Sequence, residues 1–249
     1  MKLHYFSHPK RISICFRINK DKLGKDRQEG PEGEDPVKYY YIWSNSQPMI
    51  PVDICEPYFE YLRKYIDIDP PLMQLIASQL SEAHFPEKHI ILQAGSVCNK
   101  VYFLVSGTAR SYYTESSGIT VTWTFHFNTA QSIHRNVFAT DYRSLLTGTP
   151  SLIAIETLSE VKALVFTREA INYLIDNSLQ YEIWMRKLAE VAYVSMCDRA
   201  FSLLTKSATE RYHQLLEQDP HLMQMFSNYY IASYLGIAPQ SLSRIRTSH

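Results

Sequence analysis

The C-terminal end of the sequence, NYYIASYLGIAPQSLSRIRTSH from Asn228 to His249, constrains the fold most strongly. A small residue, Ala232, is followed four residues later by Gly236 and six residues after that by Leu242. Two short helices that cross closely need a small residue at the crossing, a sharp turn, and an aliphatic side chain that holds the angle. The spacing therefore predicts a helix-turn-helix. The alternative is an ordinary corner of two helices that binds no ligand.

The bounds of these two helices also follow from the sequence. The first is predicted to span Tyr229–Leu235, and the second to begin at Pro239, because proline is favoured in the first turn of a helix. We expect the second helix to bury Leu242 and Ile245. Its exposed side chains would then be Gln240, Ser241, Ser243, Arg244 and Arg246. No acidic residue follows Pro220, and amide, hydroxyl and guanidinium groups are those that contact base edges and phosphates.

Short β-like segments fill the middle of the chain. They are rich in β-branched and aromatic residues and are separated by glycine-containing turns: HIILQAG, KVYFLVSG, TARSYYT and ITVTWTFHF. In the last segment threonines alternate with apolar residues from Thr120 to Phe125, which is the period of a half-buried strand. A further strand pair is predicted within LIAIETLSEVKALVFT. Short strands at this spacing indicate a small antiparallel barrel or jelly roll.

Helical patterns flank the β-like block. Two helices are predicted before it, with a stop and restart at Asp69, which would cap the second one. After it, no glycine or proline occurs from Arg168 to Thr205. A helix over Ser178–Leu204 would be roughly 40 Å long, and its apolar surface is wider than one face of a small barrel can cover. We interpret the second face as a contact with another copy of the chain. The alternative is a helix held between two domains of one chain.

Composition and motifs exclude several classes of protein. Lys+Arg and Asp+Glu each number 25, so the overall charge indicates no polyanionic partner. No apolar run is long enough to cross a membrane, and no signal peptide is recognisable, which favours the cytoplasm. The four cysteines are widely spaced, as in a reducing compartment, and predict neither a disulfide framework nor a metal site. Because no catalytic motif is present, we do not expect an enzyme. Residues 1–50 are predicted to be a flexible extension, unless translation begins at Met49.

Four segments resemble the Crp/Fnr-type bacterial transcription regulators, in particular short members from Bacteroidetes-type bacteria. They are VYFLVSGTARSYY, SLLTGTPSLIAIETLSEVKALVF, LLTKSATERYHQLLEQDPHLMQMFSNYYIASYLGI and APQSLSRIR. The resemblance implies an α+β fold with a cyclic-nucleotide-binding-type β-roll (a jelly roll) over 51–177, a dimerisation helix over 178–205 and a helix-turn-helix domain over 206–249. The chain leaves no room for a full β-hairpin wing after the last helix. The implied partners are double-stranded DNA, a second copy of the chain and RNA polymerase, with no membrane contact.

The resemblance also implies roles for individual residues. Gln240, Ser243 and Arg244 correspond to the positions that contact bases in the major groove. Ser241, Arg246 and Tyr230 are expected to contact phosphates. These six residues form the predicted DNA-binding set. A β-roll module that binds a ligand or partner protein, with C-terminal helices that only pack, is the competing interpretation.

A cyclic nucleotide is not expected in the roll. Family members that bind one carry Gly-Glu and, about ten residues later, an arginine followed by a small hydroxyl residue; here Thr140 and Asp141, then Pro150 and Ser151, stand at these positions. A buried phosphate without its arginine would be poorly compensated, so we do not expect cAMP as a ligand, and no cofactor is identified. The candidate pocket residues are Thr140, Asp141, Arg143 and Ser151, with Arg143 or Arg135 as a substitute for the missing arginine.

Overall fold

Two four-stranded antiparallel sheets form the centre of the molecule. The computed structural model describes residues 51–247, apart from the side chains of residues 134 and 135; the predicted extension over 1–50 lies outside this range. The strands are β1 (Ser81–Phe85), β2 (Ile90–Leu92), β3 (Lys100–Ser106), β4 (Thr108–Thr114), β5 (Thr120–Phe127), β6 (Phe138–Ala139), β7 (Ala154–Thr157) and β8 (Val161–Thr167). One sheet has the order β1-β8-β3-β6 and the other β2-β7-β4-β5. The prediction of an antiparallel jelly roll is therefore confirmed.

The two sheets share a core of small and aliphatic side chains. Leu104 and Ala163 contribute from the first sheet, and Ala109 and Ile155 from the second; all four are fully buried. At the tight connection between β3 and β4, Gly107 has a φ of 88°, and a Cβ atom there would fall on the backbone carbonyl of Glu160. Glycine is required at this turn for both reasons.

Both strands predicted within LIAIETLSEVKALVFT are observed, as β7 and β8, but they do not pair with each other. β7 pairs with β2 and β4, whereas β8 pairs with β1 and β3, so these consecutive strands lie in different sheets. The sequence does not show which strands pair, because the local pattern is the same whether a strand turns back or crosses to the other sheet. The pairing depends on strands far away in the chain.

Ten α-helices surround and follow the roll in the described part of the chain. They are α1 (Glu56–Leu62), α2 (Pro70–Ala77), α3 (His134–Val137), α4 (Tyr142–Thr147), α5 (Arg168–Asn177), α6 (Leu179–Thr205), α7 (Ala208–Gln218), α8 (Leu222–Met225), α9 (Asn228–Leu235) and α10 (Pro239–Thr247). Asp69 caps α2 as predicted, since its carboxylate accepts a hydrogen bond of 2.9 Å from the Leu72 amide.

The two halves of the long helix α6 differ in how far their apolar side chains are buried. In the first half Tyr181, Trp184 and Leu188 are buried in a core shared with α1, and the rings of Tyr61 and Trp184 meet edge to face at 5.6 Å. In the second half apolar side chains are exposed: Val191, Tyr193, Val194, Met196, Phe201, Leu203 and Leu204. The roll therefore covers only part of the apolar surface of α6, as its width predicts. None of the helices within 51–247 is both long and apolar enough for a membrane span.

Candidate nucleic-acid interface

The C-terminal helices α9 and α10 are joined by a tight turn at the position that the sequence predicts. Ser227 caps α9, and Gly236 ends it in the left-handed conformation with a φ of 70°. The Ile237 amide then donates to the Ala232 carbonyl at 3.0 Å, which closes the turn. α10 begins at Pro239, as the sequence predicts. Both helix bounds thus follow from the local signals of glycine and proline.

The crossing of the two helices is held by the side chains that the spacing singles out. Ile231, Ala232, Leu235 and Leu242 are all buried in one cluster, while Ile245 is half-buried against it. Ala232 is fully buried, so a larger side chain there would displace α10. The turn is therefore a packed corner, which fixes where the exposed side of α10 points.

Arg211 on α7 supports this corner, and nothing in the sequence pattern predicts its role. Its guanidinium donates to the Leu235 carbonyl from Nε at 3.2 Å and from Nη2 at 3.0 Å. It also donates from Nη1 to the Lys206 carbonyl at 2.6 Å. Leu235 ends α9 and Lys206 caps α6, so one cation satisfies carbonyl groups at the C-terminal ends of two helices.

The exposed side of α10 contains most of the predicted DNA-binding set. Gln240, Ser243, Arg244 and Arg246 are exposed, and Ser241 is half-buried. The Arg246 guanidinium donates a hydrogen bond of 2.8 Å to the amide oxygen of Asn228, which ties the end of α10 to the start of α9. The three side chains predicted to contact bases therefore project from one helix and are accessible to a partner.

Tyr230 is placed differently from the rest of the set. It is half-buried, and its ring packs against the guanidinium of Arg110 on β4, with 4.2 Å between the guanidinium carbon and the ring centroid. The predicted phosphate contact of Tyr230 stays a prediction. In the described conformation its aromatic ring contacts the roll of the same chain.

Three of the four candidate pocket residues are buried, and their polar groups make hydrogen bonds within the protein. The Asp141 carboxylate accepts hydrogen bonds from the Ser151 hydroxyl at 2.7 Å and from the Ser144 amide at 3.2 Å. Thr140 donates to the Lys100 carbonyl at 3.0 Å. Asp141, Thr140 and Ser151 are buried. Asp141, Ser144 and Ser151 form one buried hydrogen-bonded cluster, and nothing in the sequence pattern predicts the part of Ser144.

Arg143 is not part of this buried cluster. Its side chain is exposed and donates to the Pro150 carbonyl at 3.2 Å, and the side chain of Arg135 lies outside the described set. A cavity of about 770 Å³ lies elsewhere, between α6, α7 and α9, and none of the four candidate pocket residues lines it. Val194, Phe201 and Arg211 are among the residues that do.

Comparison with known proteins gives a domain family and a set of structural relatives. Residues 82–178 match the cyclic nucleotide-binding domain family. A Crp/Fnr family transcriptional regulator from Eubacterium rectale is 16% identical, with 73% of this chain and 83% of that chain covered and a TM-score of 0.54. For FixK2 from Bradyrhizobium japonicum the identity is 22%, the coverage 68% and 83%, and the TM-score 0.53. For the c-di-GMP-responsive global regulator CLP from Xanthomonas campestris these values are 13%, 72%, 91% and 0.53. The search of curated proteins finds no match.

These similarities confirm the resemblance at the level of the fold. The chain contains a cyclic nucleotide-binding-type roll followed by a long helix, in the arrangement of Crp/Fnr-type regulators.

Proposed function

We propose that this protein is a sequence-specific DNA-binding transcription regulator of the Crp/Fnr type, a cytoplasmic binding protein rather than an enzyme. The observation that carries the proposal is the exposed side of α10, where Gln240, Ser243 and Arg244 project from a rigid corner. Arginine and glutamine are suited to guanine and adenine edges in the major groove. The absence of acidic residues after Pro220 supports the same interpretation, because no carboxylate would repel phosphates.

The proposal is tested by selecting bound duplexes from a random DNA pool with the purified protein. A bidentate arginine–guanine contact contributes about 1–3 kcal/mol to discrimination. We therefore expect Arg244→Ala to reduce the affinity ratio between selected and scrambled duplexes by about 5- to 140-fold. Arg246→Ala is the matched control: loss of a phosphate contact should weaken both duplexes by a similar factor. If Arg244→Ala leaves the ratio unchanged while circular dichroism shows a normal fold, α10 does not read the sequence.

We propose further that the regulator acts as a homodimer through α6. The side chains of Ile183, Val194, Cys197, Phe201 and Leu204 follow one another at intervals of eleven, three, four and three residues, on the side of α6 opposite Tyr181 and Trp184. We call them the outer stripe. Val194, Phe201 and Leu204 are exposed, which is costly in a monomer and typical of a helix that pairs with its copy. A dimer predicts an operator with two half-sites about 34–36 Å apart. Contact with RNA polymerase belongs to the same proposal.

We propose that the roll does not bind cAMP. Pro150 stands where family members that bind a cyclic nucleotide carry the arginine that compensates the phosphate charge, and the nearby Arg143 is exposed and donates to the Pro150 carbonyl. The Asp141 carboxylate, at the position of the family's glutamate, is already engaged by two donors of the protein. Isothermal titration with cAMP should show no binding. A structural relative is c-di-GMP-responsive, so c-di-GMP is a second ligand to titrate. Saturable heat with cAMP that disappears in Asp141→Ala would contradict the proposal.

A second candidate function is a β-roll module whose C-terminal helices only pack. The contact between α9 and β5 favours it, since the Ser233 hydroxyl accepts a hydrogen bond of 2.8 Å from the Thr122 amide. The two functions differ in their response to salt. A DNA-binding protein is retained on heparin and loses duplex affinity steeply as salt rises, whereas a packing module does neither.

A further inference from the structure

The helix α9 covers the open edge of the sheet β2-β7-β4-β5. β5 is an edge strand of this sheet, so within residues 51–247 one row of its backbone amide and carbonyl groups has no neighbouring strand. The Ser233 hydroxyl accepts from the Thr122 amide at 2.8 Å and donates to the Thr120 carbonyl at 3.1 Å. A side chain of the helix-turn-helix thus takes the place of a partner strand for two groups of β5.

Arg110 joins the roll to the same helix. Arg110 is 4% exposed, and its Nε donates to the Glu156 carboxylate on β7 at 2.6 Å. Its guanidinium carbon lies 4.4 Å from the ring centroid of Tyr112 on β4 and 4.2 Å from that of Tyr230 on α9. A planar guanidinium can stack on aromatic rings while its edge makes hydrogen bonds, which a lysine ammonium cannot do.

Aromatic rings extend this contact along β5. The rings of Phe125 and Phe226 stack with centroids 4.0 Å apart, and Tyr234 on α9 lies 5.4 Å from Phe125. Arg199 on α6 packs over both Trp123 and Tyr234, at 5.1 and 4.3 Å. Phe125 therefore belongs to the core of the C-terminal helices, although it lies on a strand of the roll.

We propose that Arg110, a residue of the roll, is a positioning residue for DNA binding. Together with Tyr112, Tyr230 and Ser233 it forms what we call the roll clamp. The roll clamp holds α9 in one orientation on β5, and through the packed corner it sets the direction of α10. A shift of β4 or β7 in the roll is then transmitted to α10 through α9. The DNA part of this proposal rests on the proposed function; the docking of α9 on β5 does not.

The docking is tested without DNA by measuring hydrogen exchange of the full chain residue by residue with NMR. The Thr122 amide reports the contact, because its hydrogen-bond acceptor is on α9. Tyr230→Leu removes the ring that covers Arg110 and leaves the Arg110–Glu156 ion pair in place. We expect the Thr122 amide to exchange at least tenfold faster in this variant, while amides in the pairing of β3 with β8 keep their rates.

Tyr229→Leu is the matched control, since Tyr229 is the preceding tyrosine on the same helix and is 51% exposed. It should leave the exchange of Thr122 unchanged. Ser233→Ala removes the acceptor itself and gives the rate of an uncovered amide. Unchanged exchange of Thr122 in Tyr230→Leu, or equal acceleration of all amides, would overturn the roll clamp.

The positioning role is tested with the duplex obtained by selection and with a second duplex whose half-sites are moved apart by about two base pairs. If the roll clamp fixes the direction of α10, Tyr230→Leu loosens the spacing requirement, and the affinity ratio between the two duplexes falls at least threefold. If Tyr230 only contacts a phosphate, the affinities for both duplexes fall by the same factor, and the positioning role is refuted. If the wild-type protein binds neither duplex, the proposed function is refuted, but the result of the hydrogen-exchange measurement is unaffected.

Discussion

Phe201 on the outer stripe of α6 provides a sharp test of the dimer. Its side chain is 69% exposed although it is a large aromatic residue. In a symmetric dimer the same residue of both subunits enters the interface, so one substitution acts twice. Phe201→Ala keeps the helix intact, because alanine has the highest helix propensity, and it removes the ring.

The magnitude follows from the exposed fraction. Full burial of a phenylalanine side chain contributes about 1.5–3 kcal/mol. With 69% of each ring surface left to bury, two copies contribute about 2–4 kcal/mol to association. Since each 1.4 kcal/mol corresponds to a factor of about ten, the dissociation constant of the dimer should rise by about 30- to 700-fold.

The measurement is sedimentation velocity over a range of protein concentrations. Met196→Ala is the control, because Met196 is also exposed on α6 but lies about 140° around the helix from Phe201, at about 3.6 residues per turn. The control should change the dissociation constant by less than about threefold. A Phe201→Ala protein that associates like the wild type, or a wild type that remains monomeric at every concentration, would refute the reasoning.

Three further predictions concern the stability and reactivity of single residues. Gly236→Ala should lower the free energy of unfolding by about 1–2 kcal/mol, because a φ of 70° disfavours a side chain although the space around it is open. Gly107→Ala should lower it further, because the added Cβ would meet the Glu160 carbonyl. Urea denaturation of the two variants measures both changes. Burial raises the pKa of the Cys55 thiol to about 11, so Cys55 should resist a thiol reagent at pH 8 until urea unfolds the chain; an equal rate before and after unfolding would contradict its burial. Hydrogen bonds from Ser207 hold the pKa of the Glu210 carboxyl below its usual value. The contribution of this carboxylate to stability is therefore complete at neutral pH and is lost as the pH falls through the lowered pKa. Glu210→Gln should reduce this loss of stability in acid, as measured by urea titrations at several pH values.

The parts of the fold that local sequence determines were predictable. Gly236 and Pro239 fix the end of one helix and the start of the next, and the observed α9 differs from the predicted helix by one residue. Ser178, as the N-cap of α6, begins the long helix where its pattern starts. These signals act within a few residues, so they do not depend on the rest of the molecule.

Of the candidate site, only the positions of the solvent-exposed residues were predictable from the sequence. Exposure of Gln240, Ser243 and Arg244 follows from the period of one helix. The contacts of Tyr230 and Arg211 do not, because their partners, Arg110 and the Leu235 carbonyl, come from other elements of the chain. Periodicity assigns a residue to a face of its own helix, but it does not tell what covers that face.

The burial of Thr122 is a second feature that the periodicity of the sequence does not predict. The alternation in β5 predicts a half-buried strand with one polar side, yet Thr122 is buried, while its neighbours Val121 and Trp123 are only half-buried. A polar residue on an edge strand is usually hydrated, and burial is tolerated here because the Thr122 hydroxyl accepts from Arg110 at 3.1 Å and its amide donates to Ser233.

The unexpected burial of Thr122 and the unexpected position of Tyr230 therefore have one cause, the docking of α9 on β5. Disagreement between the local sequence pattern and the structure is expected at functional sites. A roll without the C-terminal helices would leave Phe125 and Phe127 uncovered, since both belong to the same buried cluster as Phe226. The roll and the C-terminal helices α7 to α10 thus complete one hydrophobic core, which the predicted domain boundary at residue 205 does not divide.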